Sequence, residues 1–366
     1  MPIKTPDFEL TIGTLDFSQE ELKTRVNEIV VEQQSDGASS FKIVLDDRDD
    51  QFADGKWKIC EGNECTVKLG YFQKGCTGDA PAPGQLITGK VTGVKPQRKE
   101  YQRKMFVVTG FDGLQALTRG RKRRAWDNVT DAQLATEVAH ECGLQPDVED
   151  VGIVHPYVVQ NNENDLAFLY ERARRIGFEV KVEEKRLVFK KRKEVDSGVV
   201  LRWNGLNVEK KGGTLMQQMN FNTSTMNVVS KVVVRSYDPK TAKEIVAKAE
   251  KPSSDKMGGQ KNAGEIADSQ GINTAIQISD QPVRSAEEAE KLAQSILDQR
   301  AGEYLTGQGK CEGNPKIICG VKVKIEDVGK DLEGEYYITG TKHSFRVGHS
   351  HGFGYWTEFS VSRTGR

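Results

Sequence analysis

Short runs of alternating hydrophobic and polar residues dominate the first 118 residues of the chain and return after about residue 196. Examples are Phe41–Leu45, Thr66–Leu69 and Met105–Thr109, and clusters rich in Gly, Pro and Asp lie between them. Alternation with a period of two is typical of half-buried strands. Many short strands with such turn signals predict a sandwich or a small barrel.

The pattern changes between about residues 119 and 195. Apolar residues recur at helical spacing over residues 131–142, where Thr130 can serve as the N-cap, and again over residues 165–176. A glycine follows each segment, which is a common signal for the end of a helix. Residues 178–189 then alternate as a hairpin does. These features predict a compact α/β module.

The last part of the chain mixes strands with one helix. A polar stretch rich in Lys and Gly, about residues 251–264, predicts a mobile loop. A helix is expected at about residues 285–300, and Ser285 followed by Glu288 fits the capping-box pattern.

One segment near the end of the first β region resembles a segment near the end of the last one. Leu86–Val94 contains Leu-Ile-Thr-Gly, and Tyr337–Phe345 contains Tyr-Ile-Thr-Gly. Each follows a strand that begins with Val-Lys, and each precedes another alternating strand. Because internal repeats decide the architecture of a chain, this echo predicts two related β domains separated by the α/β module.

Composition and charge exclude several classes of protein. The 366 residues carry 53 basic and 53 acidic side chains, 36% are hydrophobic, and the isoelectric point is about 7.0. A wholly basic nucleic-acid binder, with an isoelectric point above about 9, is therefore not expected. No apolar run approaches the roughly 18 residues that span a bilayer. The start of the chain lacks the apolar segment of a signal peptide, so we expect synthesis in a cytoplasm.

No catalytic, cofactor-binding or metal-binding residue is predicted. The spacings of the six cysteines do not match zinc knuckles. Isolated thiols are favoured, with a disulfide between Cys311 and Cys319, or within the first three cysteines, as the alternative. The cysteines are Cys60, Cys65, Cys76, Cys142, Cys311 and Cys319.

Three further groups of residues allow a functional interpretation, and each has a simpler one. His349 and His351 could begin a metal site, but a polar turn is favoured because no other ligand lies nearby in sequence. His140 and Cys142, which are two residues apart, are a poor candidate for a catalytic base and nucleophile, because nearby residues of a helix point in different directions. Basic runs at residues 119–124 and 185–193 could bind phosphates, although a solvated or subunit-facing surface is favoured.

Several segments together resemble one known family. Residues 334–343 and 354–363 resemble the closing signature of the phage late control gene D family, and residues 126–135 and 164–178 resemble its middle module. The resemblance extends over about residues 40–363. That family supplies the baseplate hub of contractile phage tails and the N-terminal part of VgrG-type spikes.

The resemblance implies a β-rich α+β fold that assembles as a homotrimer with a pseudo-sixfold ring. Residues 1–118 would form a first tube-type β-barrel domain, residues 119–195 an inserted α/β module, and residues 196–366 a second barrel domain. The implied partners are the chain itself, the tail tube protein, the central spike protein and other baseplate proteins, with the tape measure protein as a further candidate. DNA or an effector would pass through an axial channel without specific binding.

The leading hypothesis is therefore a structural adapter, not an enzyme, in the baseplate of a virion or of a phage-derived injection particle. It would join a sixfold tail tube to a threefold spike. The alternative is a nucleic-acid or glycan binding module that uses the basic α/β unit. The sequence leaves open which kind of particle is involved, the identity of spike and cargo, and whether the spike is a separate chain.

Overall fold

The structure is a computed structural model, and it describes residues 5–53, 55–72, 81–98, 103–238, 241–253, 257, 261–271, 274–347 and 354–365. The described residues form 21 strands and six α-helices, so the predicted β-rich α+β composition is confirmed. Parts of three features discussed above lie outside the described residues: Cys76, the pair His349 and His351, and residues 254–256 and 258–260 of the polar stretch 251–264.

The N-terminal part of the chain forms seven strands and one short helix. Alternation places Phe41, Ile43 and Leu45 in a core with Phe106 and Val108, while Lys42 remains exposed. The strands lie in the order β3-β4-β7-β6-β5-β1-β2. The elements are β1 (Pro6–Ile12), β2 (Leu15–Asp16), α1 (Glu20–Lys23), β3 (Val26–Gln34), β4 (Ser40–Asp46), β5 (Glu64–Tyr71), β6 (Gly84–Gln97) and β7 (Met105–Asp112).

A small α/β unit with its own apolar core follows. Both predicted helices are present, because their end signals are local in sequence. Thr130 and Gln133 form a reciprocal capping box at the start of α2, and Gly177 ends α3 with φ at +70°. After a 3-10 helix (Gly113–Thr118), the elements are β8 (Lys122–Thr130), α2 (Asp131–Glu141), β9 (Gln145–Val148), β10 (Val154–Glu163), α3 (Asp165–Ile176), β11 (Phe178–Glu183) and β12 (Arg186–Lys191).

Six strands of the C-terminal part form a closed ring in the order β13-β14-β18-β21-β20-β19, because β19 pairs with β13. This ring encloses a second core. The elements are β13 (Val195–Arg202), α4 (Gly205–Lys211), β14 (Thr214–Thr223), β18 (Leu305–Glu312), β19 (Val321–Glu326), β20 (Gly334–Arg346) and β21 (Gly354–Arg363).

A lobe with a separate core is inserted between β14 and β18. Its helix α6 begins one residue after Ser285, whose hydroxyl accepts a hydrogen bond from the Glu288 N–H, as expected for an N-cap. The Glu288 carboxylate accepts from the Arg284 N–H instead of from the cap residue. The predicted capping box is therefore half present. The elements are β15 (Lys231–Asp238), β16 (Lys243–Ala249), α5 (Ala263–Ser269), β17 (Ala275–Ile278) and α6 (Ala286–Gly302).

The N-terminal sheet and the closed C-terminal ring contain the same arrangement of five strands. The order β3-β4-β7-β6-β5 matches β14-β18-β21-β20-β19, and all neighbouring pairs are antiparallel. Two bulges recur at corresponding places, after Val26 and after Met216, and after Val91 and after Ile338.

The bulge positions give a different alignment of the two similar segments from the one that the sequence suggests. They match Val91-Thr92-Gly93 with Ile338-Thr339-Gly340. The sequence comparison matched Ile87-Thr88-Gly89 instead, four residues earlier. The error has a simple origin, because a hydrophobic residue followed by Thr-Gly occurs twice in β6.

Candidate assembly interfaces

The N-terminal sheet and the C-terminal ring are two parts that are joined edge to edge within the chain. The second half of β20, Gly340–Arg346, pairs antiparallel with Glu28–Gln34 of β3. This pairing merges both parts into one 13-stranded sheet. Backbone hydrogen bonds between neighbouring strands therefore hold the junction, as they do inside each sheet.

Ion pairs cross the exposed face of this junction. Lys342 contacts Glu32 at 2.8 Å, and Arg346 contacts Glu28 at 2.7 Å. Glu28 also accepts from Lys42 at 3.0 Å on the next strand. Burial raises the pKa of Glu28, but the bonds from Lys42 and Arg346 outweigh it and hold that pKa below its ordinary value. Opposite charges facing each other across strands favour this register.

On the opposite face of the junction, the half-buried side chain of Gln33 makes three hydrogen bonds. Its amide nitrogen donates to the Leu86 carbonyl at 2.8 Å. Its oxygen accepts from the Cys319 N–H at 3.1 Å and from the Thr341 hydroxyl at 3.0 Å. One side chain thereby connects β6, β20 and the loop before β19. We found no signal for this role in the sequence, because these residues are about 50 to 300 positions away.

His343 lies fully buried beside the junction. One ring nitrogen donates to the Ile317 carbonyl at 2.9 Å, and the other accepts from the hydroxyls of Tyr355 and Thr357. Burial lowers its pKa to about 4, against the opposing effect of the bond to Ile317. The imidazole is therefore neutral at pH 7. Its partner Tyr355 also packs into the core of the N-terminal strands, which makes that core continuous across the junction.

Each part retains one free strand edge that corresponds to a strand used in the junction. Beyond Val91, the edge of β6 that faces away from β7 has no paired strand among the described residues. The edge of β14 beyond Leu215 that faces away from β18 is likewise unpaired in the described chain. By the repeat, β6 corresponds to β20 and β14 corresponds to β3. Long unpaired edges are templates for pairing with another chain.

The α/β unit contacts the inserted lobe through buried charges. The Arg175 guanidinium donates to the Glu288 carboxylate at 3.0 Å and to the Pro282 carbonyl at 2.8 Å. On the side of the α/β unit, Asp131 accepts from Arg172 at 2.6 Å and lies 3.1 Å from His155. Burial raises the pKa of Asp131, but His155 and Arg172 more than compensate and lower it.

The first basic run divides between two faces of β8. Lys122 and Arg124 point inward and contact Asp165 at 2.7 and 2.9 Å. The exposed members are Arg119, Arg121 and Arg123. In the second run, Lys190 pairs with Asp147 and Arg192 lies over the ring of Tyr337. Intramolecular contacts therefore neutralise part of the positive charge that the sequence displays.

The geometry of the described residues does not support a reactive thiol, a disulfide between Cys311 and Cys319, or a metal site. His140 is exposed on α2, and burial raises the pKa of the Cys142 thiol, the opposite of what a reactive thiolate requires. Cys311 and Cys319 donate to different carbonyls, those of Thr357 and Thr339. Within the described ranges, His, Cys, Asp and Glu side chains form no group of three or more that could hold a metal ion. The helices described here are all too short or too polar to cross a membrane.

Solved structures with the same fold are tail proteins and a secretion component. The 43 kDa tail protein of prophage MuSo2 from Shewanella oneidensis matches with a TM-score of 0.68 and 19% identity, covering 98% of this chain and 99% of that one. A tail protein from Neisseria meningitidis MC58 matches with a TM-score of 0.65 and 13% identity, covering 98% and 96%.

An E. coli component of the type VI secretion system, described as structurally similar to the T4 tail proteins gp27 and gp5, matches with a TM-score of 0.56 and 13% identity. That match covers 97% of this chain and 76% of the other. At these identities the likeness shows a shared fold, and the predicted phage tail protein fold is confirmed. The resemblance to the late control gene D family stays a prediction.

Comparison with curated protein sequences gives no match. Among family models, the one described as the Alg8 N-terminal domain matches residues 11–346. Because this match covers most of the chain, the protein belongs to the Alg8 N-terminal domain family.

Proposed function

We propose that this protein is the hub of a contractile tail or related injection particle, and that three copies form a ring of six barrels. The observation that carries the proposal is the β3–β20 junction inside the chain, together with the free edges of the corresponding strands β14 and β6. If the same junction forms between chains, β6 of one copy pairs with β14 of the next. Contacts of this head-to-tail kind generate closed rings when the rotation permits.

The repeat specifies the register of the proposed contact. Within the chain, Lys342 lies opposite Glu32. By the repeat, the corresponding residues in the proposed contact between chains are Lys95 and Asn222. Both Lys95 and Asn222 are exposed. Pro96 has no N–H to donate, so its neighbours supply the backbone bonds of the ladder. The contact also covers two long edges that would otherwise promote aggregation.

A six-part ring of this kind has a structural role. It would stack on a sixfold tail tube, present threefold symmetry to a central spike, and leave an axial channel for DNA or an effector. We propose the chain division made above, with barrel domains at residues 1–118 and 196–366 and the α/β module at 119–195. The module and the inserted lobe would face the surrounding baseplate proteins. On this hypothesis the chain carries no catalytic activity and resides in the baseplate.

Light scattering and cysteine cross-linking together test the proposal. The wild-type protein is expected to have three times its 40.7 kDa chain mass at concentrations that saturate assembly. The variant Lys95→Cys/Asn222→Cys, treated with a short thiol cross-linker, is expected to give covalent dimers and trimers on a denaturing gel. Side chains directly opposite each other on neighbouring strands have Cβ atoms about 5 Å apart, within reach of such a reagent.

A matched control uses the junction already present. Lys342→Cys/Glu32→Cys is expected to cross-link within one chain, without a change in mass. Each single variant reports any contribution from the native cysteines. A monomer at all concentrations, or cross-linking of the single variants equal to that of the double variant, would contradict the ring.

A further inference from the structure

The strands β8 and β10 form a separate two-stranded sheet, and the side chains on its inner face make contacts within the α/β unit. Arg124 donates to Gln160 at 2.8 Å, and the ring of Trp126 stacks on Phe168 at 5.4 Å between centroids. His155 is buried against Asp131. These contacts attach the sheet to the helices of the α/β unit and fix which side chains face outward.

The outer face is apolar in its middle. The register places Ala125 opposite Val159 and Asp127 opposite Tyr157. Tyr157 is 49% exposed and Val159 is 42% exposed. Exposed apolar side chains that stand singly are normal, whereas contiguous exposed apolar patches mark interaction sites. An exposed tyrosine also provides a large contact area with one polar end, which suits a protein interface.

One end of this face carries positive charge. Arg123 points outward opposite Asn161, and Arg119 and Arg121 lie exposed just before β8. Unlike Lys122 and Arg124, these three arginines contact no carboxylate in the described parts of the chain. Asp127 adds one negative charge beside Tyr157, on the side away from the arginines. Among the described residues, neither strand has a second hydrogen-bonded neighbour, so no further described strand continues this sheet.

We propose that this outer face is a docking surface for a partner protein, and that the partner contributes an extended segment of apolar residues next to a cluster of carboxylates. The apolar side chains cover Ala125, Tyr157 and Val159. The carboxylates reach Arg119, Arg121 and Arg123, where charge complementarity sets the orientation of the segment. A nucleic acid would match the arginines but would leave the apolar half of the face uncovered. The proposal does not depend on the ring.

Fluorescence anisotropy with the full chain tests the proposal. The probes are two labelled peptides. One is Val-Tyr-Val-Glu-Glu-Glu-Glu, and the other has the same residues in reverse order. We expect salt-sensitive binding of at least one of the two. Arg123→Glu and Tyr157→Ser are each expected to weaken that binding about tenfold, because one removes the charge and the other the apolar anchor. Both side chains are outside the cores, so melting temperatures should not change.

Matched surface controls are Lys210→Glu and Tyr237→Ser, which lie on other exposed parts of the chain and should bind the probe as the wild type does. Four results would overturn the proposal. The first is equal binding of a peptide with Lys in place of Glu. The second is binding that neither Arg123→Glu nor Tyr157→Ser reduces, and the third is no binding of either peptide. The fourth is tight binding of duplex DNA that Arg123→Glu abolishes and Tyr157→Ser leaves unchanged.

Discussion

At the scale of single residues, the half-buried Gln33 and the buried His343 of the junction are satisfied by partners on other strands and loops. Gln33 and His343 each bond to two or three groups that belong to different strands or loops. Such groups stabilise the fold only while their partners stay in place, because an unpaired buried polar atom costs about 1–3 kcal/mol. They therefore favour one arrangement of the N-terminal sheet and the C-terminal ring.

The buried imidazole of His343 predicts a specific pH dependence of stability. Its pKa is lowered to about 4 in the folded chain and returns to about 6.5 on unfolding. The unfolded state thus binds an extra proton between these values, and stability is lost as the pH falls from about 6.5 to 4. Chemical denaturation should show this loss as about 2 kcal/mol at pH 5 relative to pH 7.

The control for this prediction is His343→Gln, which removes the titrating group. This variant should be less stable at pH 7 but lose less stability between pH 7 and pH 5 than the wild type. Carboxylates with lowered pKa values, such as Glu28, titrate in both proteins and cancel in the comparison. Parallel pH profiles of the two proteins would show that His343 is not the group responsible.

At the scale of elements, the α/β unit and the inserted lobe meet through helices α3 and α6. The contact includes the buried pair Arg175–Glu288 at 3.0 Å, supported by the bond from Arg175 to Pro282. A buried ion pair contributes little over an apolar pair of the same size, but removal of one partner leaves an uncompensated charge. The pair therefore constrains the orientation of the two elements more than it stabilises them.

Substitution of this pair tests the coupling between the two elements. Arg175→Met should destabilise the chain by about 3–5 kcal/mol, because Glu288 is left buried without its partner. Arg175→Met/Glu288→Met should recover much of that loss. The measurement is a double-mutant cycle of denaturant unfolding, with hydrogen exchange of α6 as a local readout. Additive effects of the two single variants would contradict the coupling.

At the scale of the whole molecule, one repeated strand contact accounts for both the internal junction and the proposed ring. The internal copy carries Lys342 opposite Glu32, whereas the copy proposed between chains carries Lys95 opposite Asn222. The second contact therefore lacks the Lys342–Glu32 ion pair, and it also lacks the Arg346–Glu28 pair because Glu28 corresponds to Gln218. A weaker contact between chains than within them suits a ring that assembles from folded chains.

Charge changes at Asn222 should shift the assembly in opposite directions. Asn222→Glu restores the opposite charges of the internal junction and should favour the trimer. Asn222→Lys places a like charge opposite Lys95 and should favour the monomer. Each contact is expected to change by about 0.2–1 kcal/mol, and a trimer contains three of them. Sedimentation equilibrium at low salt measures the shift, and equal effects of both variants would contradict the register.

The sequence predicted those features whose signals lie close together in the chain. The helices α2 and α3, the Thr130 cap and the β11–β12 hairpin are all present, because their signals lie within about a dozen neighbouring residues. The internal repeat was detected, but its register was four residues in error, since β6 contains two similar tripeptides. Only the position of the bulges distinguishes them.

The sequence by itself therefore determined the β-rich composition, the position of the α/β unit, the absence of a recognisable catalytic motif, and the presence of a repeat. The tertiary structure decided which strand edges are used and which stay free, and which members of the basic runs are neutralised. The physical reason is that strand pairing depends on backbone groups, which are nearly the same in every residue. Strands about 300 residues apart, such as β3 and β20, find each other through burial and shape, which no local pattern encodes.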